Sequence, residues 1–508
     1  MARRSVDRDA DASHGSQALK GVSRAYHLCM RFLGRALFWL VVLALMVAGV
    51  GWFLAGREAG PLIAITSPQG FVGQSGSLTL TVDTPATGGL EALVKGSSNE
   101  GPRLTRLDAV VEQNGQSMPV LSLDGVTPEE LTSTADTPNR ITITRPIGKK
   151  AQPELVSGPA KITITAERPV FFGLRTIGSS FTHDVQVRLE PPRVAVLSLH
   201  HYINLGGAEF VVLRASPADV DAGVRVGNAE YPAYPAASVG LSDPTMRVAF
   251  FALRHDQDIN TTLSAYARDA AGNQASTPIE HRPFPKAFVR SRIPIDQRFL
   301  DRVVPAIAAE TPDLKVDTSS PEGLLQGFLT INGELRKKNG DTIRGLAAQT
   351  KPEMLWREAF AQLGNSQVES RFADQRTYFF GNKEIDRQVH LGFDLASVQH
   401  APVHVANTGI VVFANFLGIY GNCVIVDHGL GVQSLYAHLS SIGVKPGDRV
   451  EKGAELGRTG VTGLAGGDHL HFTMLLQGTP VNPVEWWDSH WMDDRVLRKI
   501  REAGGTTK

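Results

Sequence analysis

Twenty consecutive residues without a charge, Ala36 to Ala55 (ALFWLVVLALMVAGVGWFLA), constrain this 508-residue chain more than any other feature. At 1.5 Å per residue a helix of that length spans a hydrocarbon core of about 30 Å. Trp39 and Trp52 stand near its ends, where aromatic rings favour the membrane–water interface. Arg3, Arg4, Arg8, Lys20, Arg24, Arg31 and Arg35 precede it, and only Arg57 follows closely. That excess of cations places the N-terminus in the cytoplasm and the chain after Ala55 outside. A cleaved signal peptide would have a shorter apolar run and a shorter leader, and no clean A-x-A site follows here. The expectation is an uncleaved single-pass anchor at 36–55 in the inner (cytoplasmic) membrane, behind a basic cytoplasmic leader at 1–35.

The rest of the chain has the material for about three or four globular domains, with 42% hydrophobic and 20% charged residues. Basic and acidic residues balance at 51 each, and the one basic cluster is the leader. A nucleic-acid partner is therefore excluded from the reading. The two cysteines, Cys29 and Cys423, flank the apolar segment and cannot pair within one chain, so no disulfide framework is expected. Any metal centre must then draw on His, Asp or Glu.

Residues 61–283 carry alternating β-branched runs between turn residues, such as Ser77–Val82, Ala160–Ala166 and Val185–Leu189. Short strands at this spacing predict tandem β-sandwich modules, 61–190 and 191–283, divided at Pro191–Pro192. The second closes on LSAYARDAAGNQAS (Leu263–Ser276), which resembles the last hairpin of bacterial immunoglobulin-like modules. Nothing in them gathers catalytic residue types, and a spacer role is favoured; binding to cell-envelope protein partners is the other option. Residues 287–363 change character. Ser320-Pro321-Glu322 is a helix start, and Leu324, Leu325, Phe328, Ile331 and Leu335 follow a helical period. A second helix is expected at Glu353–Leu363. The segment reads as a helical connector packed on the last domain.

Three segments near the C-terminus offer groups for metal-assisted hydrolysis, which needs three protein ligands and an open position. They are His390-Leu-Gly-Phe-Asp394, Tyr436-Ala-His438-Leu-Ser440 and His469-Leu-His471. His469 and His471 lie in an apolar run that reads as a strand, where i and i+2 share a face. On a straight strand His390 and Asp394 would sit about 13 Å apart, too far for one ion. The chain must bend between them, and Gly392 permits it. Each segment is weak alone. A second H-x3-D, His490 to Asp494, falls in a terminal helix and is set aside. His400-Ala-Pro-Val-His404 has no adjacent Glu, and Pro402 argues against the helix that a zincin site needs. Spacing alone leaves open which of His469 and His471 would be a ligand.

The order of these blocks resembles the lysostaphin/LytM type of zinc endopeptidase, cell-wall metallopeptidases of the duplicated hybrid motif fold. HLGFDLAS, GNCVIVDHGLGVQSLYAHLSSI, VKPGDRVEKGAELGRTGVTGLAGGDHLHF and GTPVNPVEW carry the resemblance, within residues 368–487. It implies His390, Asp394 and His471 as ligands of Zn2+, and His438 and His469 as the pair that handles the water proton and the oxyanion. It also implies a compact, mostly antiparallel C-terminal β domain that hydrolyses the peptides of bacterial peptidoglycan. Some members lack the metal residues and activate other wall hydrolases, but here all five positions are filled. One departure stands out: Phe372-Ala373 occupies the place of the family's Phe-Gly, followed by Asp374–Asp386, where Arg376 and Tyr378 could contact substrate. The overall expectation is mainly β: membrane helix, two sandwich modules, helical connector, peptidase domain at 368–487, and a tail at 488–508.

Overall fold

The computed structural model describes residues 14–85, 91, 93–94, 103–127, 130 and 139–505, with residues 14–29 as backbone only. Arg3, Arg4 and Arg8 of the basic leader lie outside the described residues. The apolar segment forms one helix, His14–Ala55, that starts well upstream of Ala36. The leader from His14 on contains no proline and several good helix formers, so nothing stops the helix at the apolar boundary. Its stretch Met30–Ala55 is long and apolar enough to cross a membrane. Large side chains along it, including Leu37, Trp39 and Leu45, are exposed rather than packed on protein.

Two compact units follow from the contacts, Met1–Leu189 and Glu190–Lys508, meeting beside Pro191–Pro192. In the first, a three-stranded sheet (Leu62–Ser67, Gly76–Asp83, Arg140–Ile147) accompanies a five-stranded one. Alternation builds the core. Leu78, Leu80 and Val82 point inward from one sheet; Ala160, Ile162, Ile164 and Ala166 point inward from the 13-residue strand Gly158–Val170 of the other.

The second unit begins with two four-stranded sheets built from residues 193–278. The hairpin expected at Leu263–Ser276 pairs Leu263–Arg268 with Gln274–Pro278, and Asp269 staples its turn by accepting from the N–H groups of Ala271 and Asn273. These sheets are not an isolated spacer. Phe210, Val224 and Phe250 share one core with Trp356, Phe360 and Trp486 of the C-terminal region. The Trp486 ring lies 5.4 Å from those of Phe250 and Phe360. Glu485 accepts from Asn204 Nδ2 and Ala208 N, both at 2.7 Å.

Residues 488–508, expected as a tail with a terminal helix at His490–Asp494, are helical up to Glu502 and packed on the same sheets. Lys499 is fully buried, with Nζ 2.7 Å from Glu209 Oε1 and 2.8 Å from the Phe210 carbonyl. Met492, Val496 and Ile500, spaced four apart, give this helix its buried stripe.

The connector runs as expected from Ser320, whose hydroxyl accepts from Gly323 N, through Pro321–Thr330 and a wider π turn into Arg336–Leu346. An earlier helix, Gln297–Ala309, is capped by Asp296. The second expected helix, at Glu353–Leu363, does not form. Its backbone is committed elsewhere: Leu355 N donates to His428 O, Phe360 N to Trp486 O and Ala361 N to Ala406 O. Trp356 and Phe360 have helical spacing, but both are driven into the shared core from an extended chain.

The C-terminal domain is antiparallel. Its large sheet runs in the order 367–370, 393–396, 470–476, 432–439, 422–427, 409–416, 449–450, with 479–481 paired to 470–476. The strands Val432–Leu439 and Leu470–Leu476 are buried on both faces. Tyr436, Phe472 and Met474 join the shared core, while Leu435, Ala437 and Leu475 pack with Ile343 of the connector. A separate three-stranded sheet joins Arg290–Ile295, Asp374–Phe380 and Lys383–His390.

Candidate metal centre

His390 ends the last strand of that three-stranded sheet, while Asp394 lies on Phe393–Ala396 in the large sheet, directly opposite His471. The chain changes sheets across Leu391-Gly392, which removes the separation that a straight strand would impose. Gly392 serves here by its size. A Cβ on it would lie 2.6 Å from Cε1 and Nε2 of His471 and 2.5 Å from Thr473 Oγ1. Its φ is outside the left-handed region, so the bend does not depend on glycine's conformational freedom. Ala373, by contrast, has φ of +61°, the left-handed backbone that favours glycine.

Three donor atoms converge. His390 Nε2 is 2.9 Å from Asp394 Oδ1 and 3.0 Å from His471 Nδ1, which is itself 3.0 Å from Asp394 Oδ1. The other ring nitrogens fix the tautomers. His390 Nδ1 faces the Arg371 carbonyl at 3.1 Å, so it carries the proton and leaves the Nε2 lone pair inward. Thr473 Oγ1 donates to Leu391 O and accepts from His471 Nε2, which turns the His471 Nδ1 lone pair inward. Two imidazole lone pairs and a carboxylate oxygen at such distances repel unless a cation or protons lie among them. The N2O set fits a divalent ion of zinc type. Among the described residues this is the one group of three or more such donors close enough to share an ion.

His438 reaches the site by a backbone irregularity. Strict alternation along Val432–Leu439 would send it to the face of Tyr436, away from His471. The register slips between Asn422 and Val424 of the neighbouring strand, and His438 adopts φ of +62°. The ring swings to the metal side, its centroid 4.8 Å from that of His469 and 5.7 Å from that of His471. Its Nδ1 donates to Thr462 O at 2.8 Å, as His469 Nδ1 does to Gly467 O. Both Nε2 atoms are therefore left for the site; that of His469 is 3.4 Å from Asp394 Oδ1.

Burial alone would raise the Asp394 carboxyl, but the charge and hydrogen bonds of His390, His469 and His471 hold it well below its ordinary range. Burial pushes His438 well down and His471 down to about 4, so both are neutral near pH 7. His469 goes the other way: burial opposes its charge, but its contact with Asp394 prevails and raises it.

Arg376 and Tyr378, which the sequence reading allowed to contact substrate, both line the cavity over the donor cluster. Arg376 Nη2 donates to Asp394 Oδ2 at 2.7 Å and to Ser370 Oγ at 2.9 Å, which leaves Oδ1 to the donor cluster. Tyr378 packs on Phe328 of the connector, rings 5.8 Å apart. The signal for Arg376 was available: on paired antiparallel strands Asp374 stands opposite His390, which puts the strand of Arg376 beside the site. His490 and Asp494 pair at 3.3 Å on the terminal helix with His490 exposed, and His404 ends a short strand. The five grouped residues line a cavity of about 780 Å³.

Residues 388–483 match the model of Peptidase family M23, and the chain carries an M23 (LytM-type) domain in its C-terminal region. The chain is 41% identical over 97 residues to the DD-carboxypeptidase/endopeptidase Mpg of Neisseria gonorrhoeae, covering 19% of this chain and 22% of that protein. It is 29% identical over 163 residues to the peptidoglycan DD-endopeptidase ShyA of Vibrio cholerae, covering 32% and 34%. The match thus spans no more than about a third of either relative. Among solved structures, the catalytic domain of lysostaphin from Staphylococcus simulans aligns with a TM-score of 0.22 and 27% identity, over 25% of this chain and 94% of that one.

Proposed function

We propose that this chain is a membrane-anchored zinc endopeptidase that hydrolyses the peptides of bacterial peptidoglycan. The observation that carries the reading is the convergence of His390, Asp394 and His471 within 3.0 Å of one another, with two further histidines facing the same point. The domain match and the relatives' named activities support peptidoglycan as the substrate.

His390 Nε2, His471 Nδ1 and Asp394 Oδ1 would hold the ion. When bound, zinc supplies Lewis acidity to a peptide carbonyl and to water. Arg371 O and Thr473 Oγ1 orient the two ligand imidazoles, and Arg376 restrains Asp394 to one free oxygen. His438, neutral and with its Nδ1 proton committed to Thr462 O, accepts a proton from the attacking water at Nε2. His469, raised by its contact with Asp394 and entering the cycle protonated, would present its Nε2–H to the oxyanion and give that proton to the leaving amine, and the cycle closes when His438 loses to solvent the proton it took and His469 regains one. The apolar helix would anchor the chain in the inner membrane with the M23 domain outside.

The test uses the full chain in detergent, its zinc content and its digestion of purified peptidoglycan. Wild type should bind about one zinc and release muropeptides. His390→Ala should lose zinc, while His438→Ala should keep zinc and lose cleavage. A wild-type protein that holds zinc but releases nothing from any wall type would replace this reading with that of a non-catalytic activator.

A further inference from the structure

The cavity over the donor cluster has a second wall that the M23 match does not cover. The helix Gln297–Ala309 contributes Arg298 and Arg302 to it, and the connector helix Arg336–Leu346 contributes Arg336. Among the described residues no carboxylate lies within ion-pair distance of any of the three. Two are held in place by neutral groups. Arg302 Nη2 donates to Ala465 O at 2.7 Å and its guanidinium lies 5.5 Å from the Phe299 ring; Arg336 Nε donates to Asn332 O at 3.0 Å.

The carboxylates that share this cavity are mostly engaged. Asp374 and Asp394 face Arg376. Asp296 caps its helix through Phe299 N. Asp468 accepts from Thr459 Oγ1 and His400 N. Glu369 is the remaining one. Asp296 and Asp468 are bonded by neutral groups and keep their charge, so with Glu369 they match Arg298, Arg302 and Arg336 in number, but none of the three arginines is ion-paired with any of them. Arg336 Nη2 also donates to Asn332 Oδ1, and the guanidinium N–H groups that these neutral acceptors leave free are suited to charge-assisted capture of a carboxylate.

We propose that Arg298, Arg302 and Arg336 form an anion subsite that selects peptides carrying a free carboxylate close to the scissile bond, over the same peptides with that carboxylate amidated. This deepens, and rests on, the peptidase reading above. The residues lie outside residues 388–483, so the selectivity would belong to this chain's connector rather than to its M23 domain.

The experiment compares two synthetic cross-linked stem peptides, one with free carboxylates and one fully amidated, using the full chain loaded with zinc. Wild type should favour the free acid by about tenfold or more in kcat/KM, the scale of one charge-assisted contact. In Arg298→Gln/Arg302→Gln, KM for the free acid should rise about tenfold with kcat retained, and the amidated peptide should be cleaved as by wild type. Arg302→Lys, which keeps the charge, should recover part of the preference. Equal losses on both peptides would mean that Arg302 merely props the Ala465 loop, and would overturn the subsite. So would a wild type that cleaves both peptides equally. If wild type cleaves neither peptide nor any purified wall, the peptidase reading falls and the subsite falls with it.

Discussion

Adding one methyl group at Gly392 should unload the metal without unfolding the chain. The Cβ of Gly392→Ala would be built 2.6 Å from two atoms of the His471 ring and 2.5 Å from Thr473 Oγ1, where ordinary contacts begin at 3.4 Å. Relief requires a displacement of about 1 Å, and the groups in the way are a candidate ligand and the hydroxyl that orients it. Thr473 is tied to Leu391 O, next to the new methyl, so ring and hydroxyl must move together. Disturbing a ligand's orienting partner costs about 10- to 100-fold in metal affinity, or about 1.4–2.8 kcal/mol. Overpacking of this size costs about 1–3 kcal/mol of stability, which a unit of this size survives. The assay is competition for zinc against a chromophoric chelator, with thermal unfolding of the metal-free protein alongside. Gly466→Ala is the control: it lies in the same cavity wall, and a Cβ there meets nothing within 4 Å. Wild-type zinc affinity in Gly392→Ala, or an equal loss in Gly466→Ala, would refute the steric argument.

Other outcomes follow from the same structure. Arg376→Met should weaken zinc binding about tenfold by freeing Asp394 Oδ2, with Arg376→Lys intermediate in the same competition assay. Lys499→Met should cost about 3 kcal/mol in urea unfolding, because Glu209 is left buried without its cation. Adding Glu209→Gln should restore part of that loss, and an additive double mutant would count against coupling. Burial pushes Glu485 up to about 7, so the folded state binds its proton more tightly than the unfolded chain does. Its contribution to stability is fully present below about pH 4.5 and is lost as pH rises through about 7. Wild type should therefore lose up to about 3 kcal/mol more than Glu485→Gln between pH 5 and pH 8. Parallel urea titrations at the two pH values check this, and identical pH dependence in the two proteins would refute it.

Much of this was legible in the chain because local chemistry and tertiary structure agree. Leu78, Leu80 and Val82 alternate and are inward-facing; Ser320 with Pro321 starts a helix; His469 and His471 share a face because they stand two positions apart on an extended chain. The failures share a cause. At 353–363 the spacing of Trp356 and Phe360 is compatible with a helix, but distant carbonyls of Ala406, His428 and Trp486 claim the backbone. His438 needs a register slip against Asn422 and Val424, which no local pattern announces. Gly392 was noticed for flexibility, whereas its neighbour 79 positions further on, His471, explains it by space. Met492, Val496 and Ile500 did signal a packed helix within residues 488–508, though the partner of Lys499 lies nearly 300 residues earlier.

The donors are divided between two sheets: Asp394 and His471 stand side by side in one, and His390 closes the other. Two donors on adjacent strands come together as soon as the large sheet forms. The third is placed by the other sheet, where Lys383–His390 pairs with Asp374–Phe380 and that strand with Arg290–Ile295. The full set of three donors thus requires both sheets. A nascent or misassembled chain would hold its potential ligands out of register and stay chemically silent. For a chain proposed to cut the polymer beside which it is made, the donor set is complete only where both sheets are in place.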